Sequence, residues 1–306
     1  MKELTYKNHF KYGYNDHWFN ERMSPLDQWI VTYGSSSRKE LNFHDECIET
    51  AKLIKDNTDL PITVCLSGGA DSEIVVRSFH EAKIDFKVAI LRFKNDLNIH
   101  DISYGVILCE SLSIPYKFID LDILKFWEND MWDLAEKTRC ITPQLVSTMW
   151  LVSQIDDYAI LGSGECYIVK DIPKDYVPGV SPYERSKWYM WEKEKVASWY
   201  RHFMVTNHPG SPGFFQYTPE IMLSFLKDDT VYKLVNDEFI GKLSTMTTKT
   251  KIYKKYFNII DRPKYTGFEK IMNYDKIYRA ELERLYGDSN QVYKTEYNDL
   301  VGMLSK

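Results

Sequence analysis

The residues with the clearest chemical potential are Ser67, Gly68, Gly69, Ala70, Asp71 and Ser72, set between the apolar run 62–66 and a stretch with apolar residues at helical spacing. Two consecutive glycines open backbone conformations closed to other residues and remove side chains that would fend off a ligand. A helix expected from about Asp71 aims free amides and its positive dipole end into the turn, and Ser67 and Ser72 add hydroxyl donors. That chemistry suits a phosphate. Asp71 beside a phosphate calls for a bridging divalent cation, a task Mg²⁺ typically performs. On spacing alone the alternative is a strand–helix turn with Ser or Asp as the helix cap. The turn lacks the Gly-Lys-Ser/Thr ending of a Walker A loop.

Such a turn needs a strand ahead of it and a helix behind it, and the flanking sequence supplies both. Apolar runs at 62–66, 85–93, 115–121 and 158–164 read as buried strands. Between them, ADSEIVVRSFHEAK, DISYGVILCESLS and the patches 123–137 and 142–155 read as helices. Short apolar strands separated by helices predict an α/β fold with a parallel sheet wound on both faces, whose ligands sit at the carboxyl ends of the strands. Three segments follow: an aromatic-rich, irregular extension over 1–42, an α/β core over 43–170, and a helical part with Pro-rich loops over 171–306 that completes the site.

The bulk composition narrows the function classes. A formal charge of −5 argues against a broad nucleic-acid-binding face, which would need dense Lys and Arg. The 15 % aromatic content suggests aromatic packing or pockets. No window reaches the roughly 18 apolar residues of a membrane span. Cys47, Cys65, Cys109, Cys140 and Cys166 show no C-x-x-C spacing, and MKELTYKNHF is polar where a leader would be apolar. A reducing, cytoplasmic setting is therefore expected, without a zinc site of ordinary pattern. Cys166, beside Glu165, is the cysteine with a functional reading; most of the others read as buried small hydrophobes. His80, His100, His202 and His208 form no constellation.

The SGGADS turn resembles the S-G-G-x-D-S loop of the PP-loop ATP pyrophosphatases, which grips the pyrophosphate end of ATP while AMP is transferred to a substrate. Three later segments are similar to asparagine synthetases and β-lactam synthetases. In AILGSGE, Ser163, Gly164 and Glu165 match the S-G-E of L-S-G-E-G-x-D-E, but Cys166, Tyr167 and Ile168 stand where Gly-x-Asp would follow. Asp171 is the nearest acid, three positions late. FFQYTPEIMLSFL is similar in shape to the P-F-L-D segment, with Gln216 and Tyr217 replacing Leu-Asp. Arg262, Lys264, Gly267 and Phe268 fit the R-x-K-x-G-F pattern with one residue inserted.

The resemblance implies a Rossmann-like PP-loop fold using ATP and Mg²⁺. It puts Leu66, Ser67, Gly68, Gly69, Asp71, Ser72 and Gly164 on the nucleotide, the adenine near Leu91, Arg92 and Phe93, and the metal on Asp71 and Asp171. Lys264 would face the α-phosphate, and Glu165 would orient or deprotonate an amine. The implied activity is adenylation of a small-molecule carboxylate or carbonyl oxygen, then acyl transfer to ammonia or an amine. Residue 2 is Lys2, where the glutaminase half of asparagine synthetases has its cysteine, and about sixty residues precede the turn, fewer than a usual domain. Free ammonia, an amine substrate or a separate glutaminase is thus the expected nitrogen source. Two alternatives stay open: a PP-loop enzyme modifying a nucleobase or nucleic acid, and a nucleotide-binding protein that has lost catalysis. Association into a homo-oligomer also stays open.

Overall fold

The computed structural model describes residues 9–171, 187–236, 244–245, 248–263, 266–287 and 290–306. Three short strands come first: β1 (Lys11–Tyr14), β2 (His17–Trp18) and β3 (Trp29–Thr32), paired antiparallel in the order β2-β1-β3. They correct the irregular reading of the 1–42 extension over residues 11–32. Phe10, Tyr12 and Tyr14 are buried at every second position, as are Trp29, Val31 and Tyr33, which is the period of a half-buried strand. These rings join the main core, with Phe10 against Tyr200 at 4.9 Å between centroids. Each such buried side chain contributes about 1.5–3 kcal/mol. The aromatic content is thus largely packing.

Helix α1 (Phe43–Asp56) starts at Asn42, whose side chain accepts the Asp45 amide, and stops at Asn57. The core then alternates through β4 (Ile62–Cys65), α2 (Ala70–Glu81), β5 (Lys87–Phe93), α3 (Ile99–Ser111) and β6 (Tyr116–Leu121). Helices α4 (Ile123–Lys125), α5 (Met131–Thr138) and α6 (Pro143–Ser153) lead to β7 (Tyr158–Leu161). These four strands lie where the apolar runs predict them.

Beyond them come β8 (Ile168–Asp171), β9 (Lys187–Lys193), α7 (Ala197–Thr206), β10 (Gly210–Ser211), α8 (Pro219–Leu226) and α9 (Asp229–Asn236). Helices α10 (Lys249–Phe257) and α11 (Met272–Tyr286), strand β11 (Val292–Glu296) and helix α12 (Tyr297–Leu304) finish the chain. Helices α7–α12 make this part helical as expected, and strands β9 and β11 add to it, pairing antiparallel with β8 in the order β11-β9-β8. Burial of Trp188, Met190 and Glu192 along β9 carries that signal.

The fold is α/β, built on a five-stranded parallel sheet in the order β10-β7-β4-β5-β6. All four residues of β4 and of β7 are buried, as expected for strands covered on both faces. The chain runs from β4 outward through β5 and β6, then returns to lay β7 on the other side of β4. The strand order therefore reverses between β4 and β7. Their carboxyl ends flank the crevice where open α/β sheets take ligands. Among the described residues no helix is long and apolar enough to cross a membrane.

Candidate active site

The turn after β4 is tied together by its own residues. Gly68 has φ +86°, and a Cβ there would lie 2.0 Å from the Asp101 carbonyl oxygen, so only glycine fits against α3. The Ser67 amide donates to Ser72 Oγ (3.2 Å), the Gly69 amide donates to Ser67 Oγ (3.2 Å), and Ser72 Oγ donates to the Gly69 carbonyl (3.0 Å). The two hydroxyl oxygens are 3.0 Å apart. Gly69 is the N-cap of α2 and offers no capping side chain to the helix's first amides. Those amides and the exposed Ser67 face the crevice.

The turn after β7 is held by distant residues. Ser163 Oγ donates to the Pro212 carbonyl, and the Ser163 carbonyl accepts the Phe215 amide at 3.1 Å. Gly164 has φ +87°, and a Cβ there would meet the Gln216 side chain at 2.9 Å. After Glu165, Thr245 Oγ1 donates to the Cys166 carbonyl (2.8 Å) and accepts the Ile168 amide (3.0 Å). The Thr245 carbonyl in turn accepts the amides of Thr248 (3.0 Å) and Lys249 (2.8 Å). One threonine thus links the strand after Glu165 to the first turn of α10.

That link brings together the central cluster. Lys249 Nζ donates to Asp71 Oδ1 (2.9 Å) and Oδ2 (2.8 Å) and to Glu165 Oε1 (3.1 Å). Tyr253, one turn further along α10, donates its hydroxyl to Asp71 Oδ1 at 2.7 Å. Its ring lies near-parallel to those of Phe43 of α1 (5.9 Å, 9°) and Phe215 (6.1 Å, 17°), which are also 6.2 Å from each other, and this aromatic trio fixes the phenol. The Lys249 side chain is 12 % exposed and the two carboxylates 28 % each, so a ligand in the crevice can reach all three. Burial and the neighbouring Asp71 carboxylate raise the Glu165 pKa, against the opposing pull of Lys249. Burial works against the Lys249 ammonium, but Glu165 and Asp71 outweigh it and hold its pKa above the ordinary lysine value.

Of the residues singled out in the sequence, Ser67, Gly68, Gly69, Asp71, Ser72, Gly164 and Glu165 meet at the reversal point, with Leu66 anchoring the turn through its amide to the Ala89 carbonyl (2.9 Å). Others sit elsewhere. Lys264 lies outside the described residues. Asp171 is on β8, paired with Lys294 at 2.9 Å rather than with Asp71. Arg92 donates to both oxygens of Asp120 (2.6 and 3.0 Å) and lies over the Phe118 ring. Phe93 is buried against Phe268, while its amide and the Leu91 carbonyl are both satisfied by the Asn98 side chain. Cys166 is buried, and burial pushes its thiol well above the ordinary range, which removes the reactive thiolate.

Lys249 and Tyr253 are not among the sequence candidates. They are 178 and 182 positions from Asp71, and their i, i+4 spacing, which sets both on one helix face, is the only local sign.

Among the described residues there is no group of three or more His, Cys, Asp and Glu placed to hold a metal. Mg²⁺ in phosphate sites is commonly held by one or two carboxylates, with the remaining ligands from phosphates and water. Asp71 and Glu165 fit that pattern. The free amides, hydroxyls and Lys249 ammonium fit the anion.

No protein-family model matches the chain, and no curated protein does. Among solved structures, an NH3-dependent NAD synthetase from Campylobacter jejuni subsp. jejuni NCTC 11168 is similar over 81 % of this chain and 95 % of that chain, with TM-score 0.33 and 17 % identity. An NMN synthetase from Francisella tularensis is similar over the same shares, with TM-score 0.33 and 13 % identity. At those scores the likenesses carry no argument about activity.

Proposed function

We propose that the protein is an ATP-dependent ligase that adenylates a carboxylate or carbonyl oxygen of a small molecule and passes the acyl group to ammonia or an amine. The observation that supports this best is the meeting of the Ser67–Ser72 turn with Asp71, Glu165 and Lys249 at the sheet's reversal point. The uncapped amides of α2 and the two serine hydroxyls would take the β- and γ-phosphates. Mg²⁺ would be held by Asp71, with Glu165 in reach, and would neutralise charge on the leaving pyrophosphate.

An oxygen of the substrate attacks the α-phosphorus, the bond to the pyrophosphate oxygen breaks, and pyrophosphate leaves. Lys249, a compact cation, moves from its carboxylates to the charge developing at the α-phosphate, the role the family resemblance gives to Lys264. An amine nitrogen then attacks the acyl carbon and AMP departs. Glu165 takes the amine proton, a step favoured by its raised pKa. Catalysis of this kind is mostly positioning and charge neutralisation.

Pyrophosphate release with ATP and a panel of carboxylic acids tests this reading. Acid-dependent release is expected from the parent, reduced about 100-fold in Asp71→Asn and clearly lower in Ser67→Ala. Variants that turn over nucleotide as well as the parent would overturn it. A second reading, a nucleotide-binding protein without turnover, is favoured by Cys166, Tyr167 and Ile168 standing where the resemblance calls for Gly-x-Asp. Tight AMP or ATP binding with no pyrophosphate release for any acid would select that one.

A further inference from the structure

Beneath the Glu165 turn lies a buried polar chain that the proposed chemistry does not use. Gln216 Nε2 donates to Glu192 Oε1 at 2.6 Å, Tyr200 donates its hydroxyl to Gln216 Oε1 at 2.8 Å, and Tyr33 donates to the same Glu192 oxygen at 2.7 Å. Gln216, Glu192 and Tyr200 are each less than 9 % exposed, so the chain is shielded from bulk solvent. Both ends of the Gln216 amide are fixed, which gives the side chain one orientation. In that orientation its Cγ and Oε1 stand 2.9 Å from where a Gly164 Cβ would be, directly against the left-handed backbone that presents Glu165. The neighbouring Phe215 amide holds the Ser163 carbonyl, so two successive residues of one short turn grip two successive residues of the other.

We propose that Gln216 is a positioning residue, locked by Glu192 and Tyr200, that holds the Gly164–Glu165 turn for the amine-transfer half of the reaction. This rests on the adenylation-and-transfer reading of the site. The first half, formation of the adenylate, depends chiefly on the locally anchored Ser67–Ser72 turn with Asp71 and on Lys249, with Glu165 only a further carboxylate in reach of the metal. The second half needs Glu165 aimed at the amine. Disturbing Gln216 therefore separates the two halves.

The test is Gln216→Met, which keeps the length and the contact with Gly164 but loses both hydrogen bonds, beside Glu192→Gln, whose amide oxygen can still accept from Gln216 and Tyr33. Backbone hydrogen exchange is followed at 162–166 and at 67–72, together with ATP–pyrophosphate exchange and acyl transfer to an amine. In Gln216→Met, exchange at 162–166 is expected to rise about tenfold, the equivalent of one net hydrogen bond, with 67–72 unchanged. Amine transfer falls by a similar factor while ATP–pyrophosphate exchange stays within about twofold. Glu192→Gln keeps both measures near the parent. Unchanged exchange at 162–166, or equal loss of both half-reactions, overturns the inference. If the parent shows no adenylation, the functional reading falls and the hydrogen-exchange result still decides whether Gln216 holds the turn.

Discussion

The turns that follow β4 and β7 face each other across one crevice, yet they are held in opposite ways. The Ser67–Ser72 turn is closed by hydrogen bonds among Ser67, Gly69 and Ser72, with partners no more than five positions apart. The Ser163–Glu165 turn is closed by Pro212, Gln216 and Thr245, with Pro212 49 positions from Ser163 and Thr245 79 from Cys166. A turn that carries its own ties depends less on distant parts of the fold. A turn tied from outside depends on the rest of the fold, and its geometry can be adjusted by residues far from the chemistry.

The largest effect is expected where the two turns are bridged. Lys249→Met removes the cation between Asp71 and Glu165 and should lower the kcat/KM of pyrophosphate release about 10²–10³-fold. An effect confined to the transfer step would assign Lys249 to the β7 turn alone.

The next effect probes the remote anchor through pH. Burial pushes Glu192 from 4.5 up to about 7, so the folded state binds this proton more tightly than the unfolded state does. The stability it contributes is full below about pH 4.5 and is lost as pH rises through about 7, a swing on the order of 3 kcal/mol. Glu192→Gln should flatten that dependence, as measured by urea unfolding at about pH 5 and about pH 8. The same slope in parent and variant would show that the anchor does not titrate.

The two left-handed glycines give a sharper contrast. Gly68→Ala drives a Cβ into the Asp101 backbone carbonyl and should destabilise the protein by about 3 kcal/mol. Gly164→Ala meets the Gln216 side chain at 2.9 Å rather than a backbone carbonyl at 2.0 Å and should cost less, about 1–2 kcal/mol, while disturbing Glu165 more than Asp71. Thermal unfolding measures both, and the reverse order would contradict the difference between the turns.

The smallest effects come from single hydroxyls. Ser72→Ala and Thr245→Val should each cost about 1 kcal/mol, the second slightly more because the Ile168 amide that loses its acceptor is fully buried whereas Ser67 is exposed. Hydrogen exchange should locate the first loss at 67–72 and the second at 163–168.

The same contrast explains what could be read from the sequence. SGGADS was legible because its ties, its glycines and the strand before it are contiguous, and the four core strands were legible because buried parallel strands are unbroken apolar runs. Glu165 was visible through its Ser-Gly-Glu context. Lys249 was not, since it reaches the site only through Thr245 and the packing of α10 on α1 and α2. Strands β1, β3 and β9 carried a period-two signal in Tyr12 and Tyr14, in Trp29 and Val31, and in Trp188 and Met190, but rings and charges interleave there and mask it. Strand β10, two residues beside prolines, has too little pattern to register.

The most direct measurement is a crystal structure with Mg²⁺ and a non-hydrolysable ATP analogue. The expected result is a triphosphate seated against the Ser67–Ser72 turn, with Lys249 drawn from Asp71 and Glu165 to the α-phosphate. Nucleotide bound away from the β4–β7 crevice, with Lys249 still paired to both carboxylates, would contradict the account.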